Sequence, residues 1–192
     1  MPKAGVRSTR NNQMTIYIAR HGQTEWNERD LIIGRTDLPL TDKGKQQALD
    51  LAKLVSNTNI SRIICSPLQR ALQTAQIVST ECHIPVETDS RLIELDYGDY
   101  EGTSKHQPDF INYRRNPACR YPHGESQFQA AVRVYTMLND IISRYPQDNI
   151  LLVTHNGICR IIATYFRDMS CEDLYGYSLN NGEIECYEKN PA

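Results

Sequence analysis

The chain has 192 residues, with 21 Lys and Arg against 23 Asp and Glu, a formal net charge of -2 and 40% hydrophobic residues. This length and apolar share predict one domain with a sizeable core, and the near-neutral charge excludes nucleic acid or an anionic membrane as the main partner. No stretch approaches ~18 consecutive apolar residues, so nothing is expected to span a bilayer.

Residues 1–13 carry Lys3, Arg7 and Arg10 but no apolar run. They read as a disordered tail before a domain at 14–192, neither signal peptide nor anchor, and the expected location is the cytoplasm. The apolar run Met14 to Ala19 is a strand, followed at once by Arg20, His21, Gly22, Gln23 and Thr24. Ligands of open α/β sheets collect at the carboxyl ends of strands, so an imidazole beside a guanidinium there reads as an anion site. Gly22 lets backbone approach closely, and Gln23, Thr24 and Asn27 offer hydrogen bonds to oxygens. Taken alone, His21 reads equally as a hydrogen-bonded histidine ending a strand.

Gly34 to Gly44 is a turn-rich segment, in which Arg35 reads as a surface-turn residue. Thr41 caps a helix over Asp42 to Ser56 whose inner face is Ala48, Leu49, Ala52 and Val55. A strand at Arg62 to Cys65 leads into Ser66 as N-cap and Pro67 as first residue of a helix to Thr80. Arg70 is then one turn in, able to curl back and fork onto phosphate oxygens.

After a strand at Val86 to Thr88, Glu94 lies among apolar neighbours and competes with Asp96, Asp99 and Glu101 for a proton-transfer role; burial would raise its pKa. Tyr97 in this segment is taken as a substrate contact, and Lys105, Arg114 and Arg115 beyond it read equally as solvated charges. Ser126 to Arg144 reads as a helix with Phe128, Ala131, Val132, Tyr135, Leu138 and Ile142 toward the core. The strand Ile150 to Thr154 delivers His155 to the same edge as His21, with Asn156 as a further donor and a helix from Gly157 to Phe166. Tyr177 to Leu179 and Glu183 to Tyr187 flank Asn180-Asn181-Gly182 as a hairpin. The six cysteines are expected to be reduced, mostly buried thiols, and His83, His106 and His123 match no metal-ligand spacing. Alternating strands and helices predict a three-layer α/β/α sandwich.

Four motifs stand in one order: Arg20-His21-Gly22 followed by Thr24, Glu25 and Asn27; Ser66-Pro67-x-x-Arg70-x-x-x-Thr74-Ala75; Leu92-x-Glu94-x-x-x-Gly98-x-x-Glu101-Gly102; and His155. From Met14 to about Glu188 the chain resembles the histidine phosphatase superfamily, also called phosphoglycerate-mutase-like. The resemblance implies a mostly parallel sheet flanked by helices, transient phosphorylation of His21, and Glu94 as the acid that protonates the leaving oxygen. Arg20, Arg70 and His155 would neutralise phosphoryl charge, so no metal or other cofactor is expected. Asn156 stands where the family more often has Gly, and Gly34 to Gly44 resembles the family's loop before helix one, where Gly34 or Arg35 would line the mouth of the pocket.

About 60 residues separate Glu94 from His155. That short span, with Pro122-x-Gly124-Glu125-Ser126, resembles the compact phosphatases, including broad-specificity bacterial enzymes and α-ribazole phosphatases. The implied activity is hydrolysis of a small phosphomonoester, by a monomer or homodimer with no nucleic-acid or membrane partner. Arg114-Arg115 and Lys105 resemble residues of the mutases, whose paired arginines grip the substrate carboxylate. A phosphoglycerate mutase dependent on 2,3-bisphosphoglycerate is therefore the alternative. An inactive phosphate-binding or partner-binding module is the third reading.

Overall fold

Strands form here from β-branched runs, and the longest apolar run becomes the strand covered on both sides. A computed structural model describes residues 14–188, so the tail expected at residues 1–13 lies outside the described residues. In chain order the elements are β1 (Thr15–Arg20), α1 (Glu25–Glu28), α2 (Asp42–Val55), β2 (Ile60–Cys65), α3 (Gln69–Cys82), β3 (Val86–Thr88), α4 (Pro108–Arg115), α5 (Gln127–Arg144), β4 (Asn149–Thr154), α6 (Asn156–Phe166), α7 (Cys171–Gly176) and β5 (Ile184–Glu188). Two short 3-10 turns, Ser90–Leu92 and Gly98–Tyr100, flank the Glu94 segment.

The sheet order is β3-β2-β4-β1-β5, parallel except for β5, which runs antiparallel to β1. Alternation along the strands sends side chains to two cores. Ile16, Ile18, Ile150 and Leu152 pack under α5 and α6, whereas Ala19, Ile63, Leu151 and Val153 pack under α2 and α3. Each fully buried Leu or Ile contributes roughly 1.5–3 kcal/mol, so β4, apolar on both faces, is the spine of this three-layer α/β/α fold. No helix among the described residues is long and apolar enough to cross a membrane.

Five expectations are corrected. Tyr177–Leu179 forms no hairpin arm, because its backbone is taken by side chains: Arg160 Nη2 donates to Tyr177 O, Arg20 Nη1 to Leu179 O, and Leu179 N–H to Asn156 Oδ1. Helix α3 starts at Gln69 and not at Pro67; its first N–H donates to Asp37 Oδ1 at 2.7 Å, a cap from a distant loop that frees Ser66 for another bond. On α5 the buried stripe is Ala130, Val134, Met137, Leu138 and Ile141, while Phe128 and Val132 are 60% and 70% exposed. Inward polar anchors set that rotation: Gln127 donates to Arg114 O and Arg133 to the backbone around Glu94. Only Cys65 and Cys159 are buried; Cys119, Cys171 and Cys186 are exposed, and all six are free thiols. On α2, Leu51 is buried where Leu49 is only half-buried.

Candidate active site

Parallel neighbours β1 and β4 are in register at Arg20 and Thr154, and His21 N–H donates to Thr154 O at 2.9 Å, so the next residues, His21 and His155, emerge side by side. Their ring centroids are 5.1 Å apart at 60°. His21 Nδ1 lies 2.7 Å from Gly22 O. A carbonyl can only accept, so Nδ1 carries the proton and Nε2 is left with a lone pair. His155 Nε2 meets Ser66 Oγ at 2.7 Å, leaving its Nδ1 as acceptor. The Arg70 Nε–H donates to both lone pairs, at 3.2 Å to His21 Nε2 and 3.2 Å to His155 Nδ1. Both imidazoles are therefore neutral, and burial, reinforced by the Arg70 charge, pushes both pKa values well below the usual histidine range.

Arg70 is fully buried, and burial lowers it to about 10, so it stays charged at neutral pH. Its terminal nitrogens do not point forward as a free fork: Nη1 donates to Thr36 O at 2.9 Å and Nη2 to Gly34 O at 2.7 Å. One turn later Thr74 Oγ1 donates to Arg70 O and accepts from Gly22 N–H at 3.0 Å, tying α3 to the histidine loop. Gly22 is held there by proximity: a Cβ on it would sit 2.3 Å from Gly44 O of α2. Gly22→Ala is expected to cost about 1–3 kcal/mol or more of stability, read as a lower urea midpoint, and to displace His21 with a matching loss of activity.

Glu94 closes the arrangement. Its Oε1 accepts from Leu95 N–H at 2.8 Å and its Oε2 from Gly157 N–H at 3.1 Å, at the first turn of α6. Burial raises its pKa against those two bonds. The Pro122–Ser126 segment holds it from behind: Arg133 donates to the carbonyls of Arg91, Ile93 and Glu94, and Glu125 accepts from Arg133 at 2.8 Å and from Asp96 N–H at 3.1 Å.

Residues 16–191 match the model of the histidine phosphatase superfamily (branch 1). The chain belongs to the histidine phosphatase superfamily. It is 38% identical over 151 residues to a probable phosphoglycerate mutase of Proteus mirabilis, covering 74% of this chain and 69% of the relative. It is 32% identical over 176 residues to a putative phosphoserine phosphatase of Hydrogenobacter thermophilus, covering 88% and 86%. Among solved structures, YhfR of Bacillus stearothermophilus superposes with a TM-score of 0.81 at 29% identity, covering 90% of each chain. A putative alpha-ribazole-5'-P phosphatase from Escherichia coli gives 0.80 at 27%, covering 93% and 91%.

In this histidine phosphatase a cavity of about 350 Å³ opens in front of His21. Of the residues expected from sequence, Arg20, His21, Asn27, Glu94, Tyr97, Lys105, Arg114 and Asn156 line it. Arg70 and His155 stand behind His21, fully buried. Other expected contacts fall outside the lining. Gly22 packs on Gly44, Gln23 turns to Thr41 and Gln47, and Thr24 caps α1 in a reciprocal pair with Asn27. Gly34 lends its carbonyl to Arg70, Arg35 pairs with Asp96 and Glu125, and Arg115 is exposed over the Tyr175 ring. Lys105 is at the rim, bound to Asp30. Tyr97 stacks edge-on to Phe110 and Tyr121, and burial raises its hydroxyl pKa well above the usual value.

Two lining residues carried too weak a sequence signal to be found. Asn181 Nδ2 donates to His21 O at 2.9 Å and Asn27 Oδ1 at 3.2 Å, and nothing in a turn tripeptide announces a partner 160 positions away. Arg160 is a buried charge inside the apolar helix α6, four residues after Asn156; that mismatch between residue and helix was its only signal.

Proposed function

We propose that this histidine phosphatase hydrolyses small phosphomonoesters in the cytoplasm through a phosphohistidine at His21 Nε2, with no metal, nucleic-acid or membrane partner, as a monomer or homodimer. One observation carries the reading: the Gly22 carbonyl holds the proton on Nδ1, leaving a lone pair on Nε2 beside the Arg70 charge, in a neutral ring that lines the cavity together with Arg20. The cavity volume of about 350 Å³ falls within the range for small ligands, ~300–1,000 Å³.

Arg20 receives the phosphoryl group, and the Arg70 Nε–H shifts from the imidazole lone pairs to a phosphoryl oxygen. His21 Nε2 attacks phosphorus in line; the N–P bond forms as the ester P–O bond breaks, and the Glu94 carboxyl gives its proton to the departing alkoxide. The Glu94 carboxylate then takes a proton from water, whose oxygen attacks phosphorus, and inorganic phosphate leaves with His21 restored. Alignment and arginine charge do the work here that a metal ion does elsewhere.

The test is release of inorganic phosphate from a panel of alkyl and aryl phosphates in the presence of a strong chelator. Release that survives the chelator is expected. Isomerisation of 3-phosphoglycerate without release, dependent on added 2,3-bisphosphoglycerate, replaces this reading with the mutase, and silence in both assays replaces it with the binding module.

Glu94→Gln is expected to lower kcat/KM for an alkyl phosphate by roughly 10²–10⁴-fold and for p-nitrophenyl phosphate far less, because nitrophenolate leaves without a proton. The wild-type profile carries the same signature. Since burial lowers His21 and raises Glu94, kcat/KM for the alkyl ester rises through the depressed His21 pKa and falls through the elevated Glu94 pKa. The aryl ester lacks that Glu94 limb; equal profiles for both esters remove Glu94 from the acid role.

A further inference from the structure

Glu101 belongs to the motif around Glu94, yet it has no part in the chemistry above. It is absent from the cavity lining, and among the described residues its carboxylate is in no salt bridge. The carboxylate takes its hydrogen bonds from an uncharged stretch of loop: Oε1 accepts from Arg35 N–H at 2.7 Å, and Oε2 accepts from Thr36 N–H at 2.8 Å and from the Thr36 hydroxyl. Backbone bonds fix it from both sides, with Glu101 N–H on Gly98 O at 3.1 Å and Gly102 N–H on Ile32 O at 2.9 Å. Gly34 allows this approach, since a Cβ on it would sit 2.2 Å from Glu101 Oε1 and 2.6 Å from Leu95 O.

The same loop holds Arg70. Gly34 O and Arg35 N–H are the two ends of one peptide unit, which therefore accepts from Arg70 Nη2 at 2.7 Å while it donates to Glu101. One residue on, Thr36 donates its N–H and its hydroxyl to Glu101 Oε2, and its carbonyl accepts from Arg70 Nη1 at 2.9 Å. A charge-assisted bond at one end of a peptide unit polarises it and strengthens the bond at the other end. Arg70 is fully buried, and none of its hydrogen bonds goes to a carboxylate. The loop thus links this guanidinium to a counter-charge it does not touch. Burial lowers the Arg70 pKa most, and the Glu94, Asp37 and Glu101 charges oppose that lowering.

We infer that Glu101 is a positioning residue: acting through the Gly34–Arg35 peptide and Thr36, its carboxylate sets the plane of the Arg70 guanidinium and so aims the Nε–H between His21 and His155. The kinetic consequences of this inference rest on the phosphatase reading.

Glu101→Gln tests it, because the amide keeps the size and one acceptor but turns an N–H toward a loop donor. A fall in kcat of roughly 10–100-fold is expected, the usual cost of losing a partner that orients an active-site group, with KM unchanged within about threefold. The fall should be equal for an alkyl phosphate and p-nitrophenyl phosphate, since Arg70 serves the phosphoryl group and not the leaving oxygen. In the Arg70→Lys background the same substitution should cost less than about threefold, because the group it positions is gone. Thr36→Val, which removes only the hydroxyl, is the milder variant and should cost part of the same kcat. Hydrogen exchange of the Arg70 Nε–H, followed by NMR, is a readout without turnover, and exchange at least about tenfold faster in Glu101→Gln is expected. Urea melts of each variant restrict the comparison to folded protein. An equal loss in both backgrounds makes Glu101 a structural tie of the loop and overturns the inference. A loss confined to the alkyl ester makes it a proton donor and overturns the inference too, as does unchanged exchange. Wild type that hydrolyses no ester removes the phosphatase reading, and the exchange comparison then decides the role of Glu101 by itself.

Discussion

His21→Ala is expected to reduce phosphate release from every ester tested by roughly 10⁴-fold or more, the scale on which removing a covalent nucleophile acts. No other cavity side chain supplies an unprotonated nitrogen, since Lys105 is held in an ion pair with Asp30. The fold should survive. Arg70 keeps its bonds to His155, Thr36 O and Gly34 O, so the loss is the Nδ1–H bond to Gly22 O and one branch of the Arg70 Nε–H bond, at a ring that is 3% exposed. The pH dependence of stability supplies a second readout. Because the folded pKa of His21 is pushed well below its unfolded value near 6.5, the unfolded chain takes up a proton that the folded chain refuses as pH falls below about 6.5. Wild type therefore loses stability on going from pH 7 to pH 5, and His21→Ala loses less, with His155 still contributing its own share. An alkaline denaturing quench during turnover should trap a phosphoramidate, stable to base and lost in acid, on the peptide containing His21. Substantial turnover in the variant, or phosphate trapped on another residue, refutes the covalent step.

Where the sequence was legible, a local pattern and a single partner were enough. Strand β4 and helix α6 read directly from a saturated apolar run ending in His155-Asn156-Gly157, and α2 from Thr41 and its periodic face. His21, Arg70, Glu94 and His155 were legible because each lies next to the end of an element where its neighbours allow close approach. The roles of their neighbours were not, because the partners are distant in sequence. Ser66 looks like a helix cap but serves His155, 89 positions away, while Asp37 takes over the capping. Arg70 reads as a free fork, yet Gly34 and Thr36 occupy both of its terminal nitrogens. Phe128 and Val132 satisfy helical periodicity as well as Val134 and Met137 do; only the inward bonds of Gln127 and Arg133 decide which face is buried. Arg160 is the instructive case, a charge that breaks the apolar pattern of its helix and for that reason lines the cavity.

Arg70→Lys carries the second large effect, and its cause is placement more than charge. The guanidinium meets four acceptors from one rigid plane: two imidazole lone pairs through Nε and two carbonyls through Nη1 and Nη2. A lysine ammonium keeps the charge but ends in a single tetrahedral nitrogen, so it cannot hold the Gly34 and Thr36 carbonyls and also present a donor between the two histidines. The loop itself does not depend on Arg70, because the Glu101 carboxylate independently accepts from Arg35 N–H at 2.7 Å and Thr36 N–H at 2.8 Å. The expected result is a fall in kcat of roughly 10³-fold or more, comparable to losing an arginine that stabilises phosphoryl transfer. The accompanying stability loss is about 1–3 kcal/mol, from carbonyls left without donors. Activity within tenfold of wild type would mean that positive charge alone suffices behind His21, and the bifurcated Nε–H would then be a packing contact without consequence for the transferring phosphoryl group.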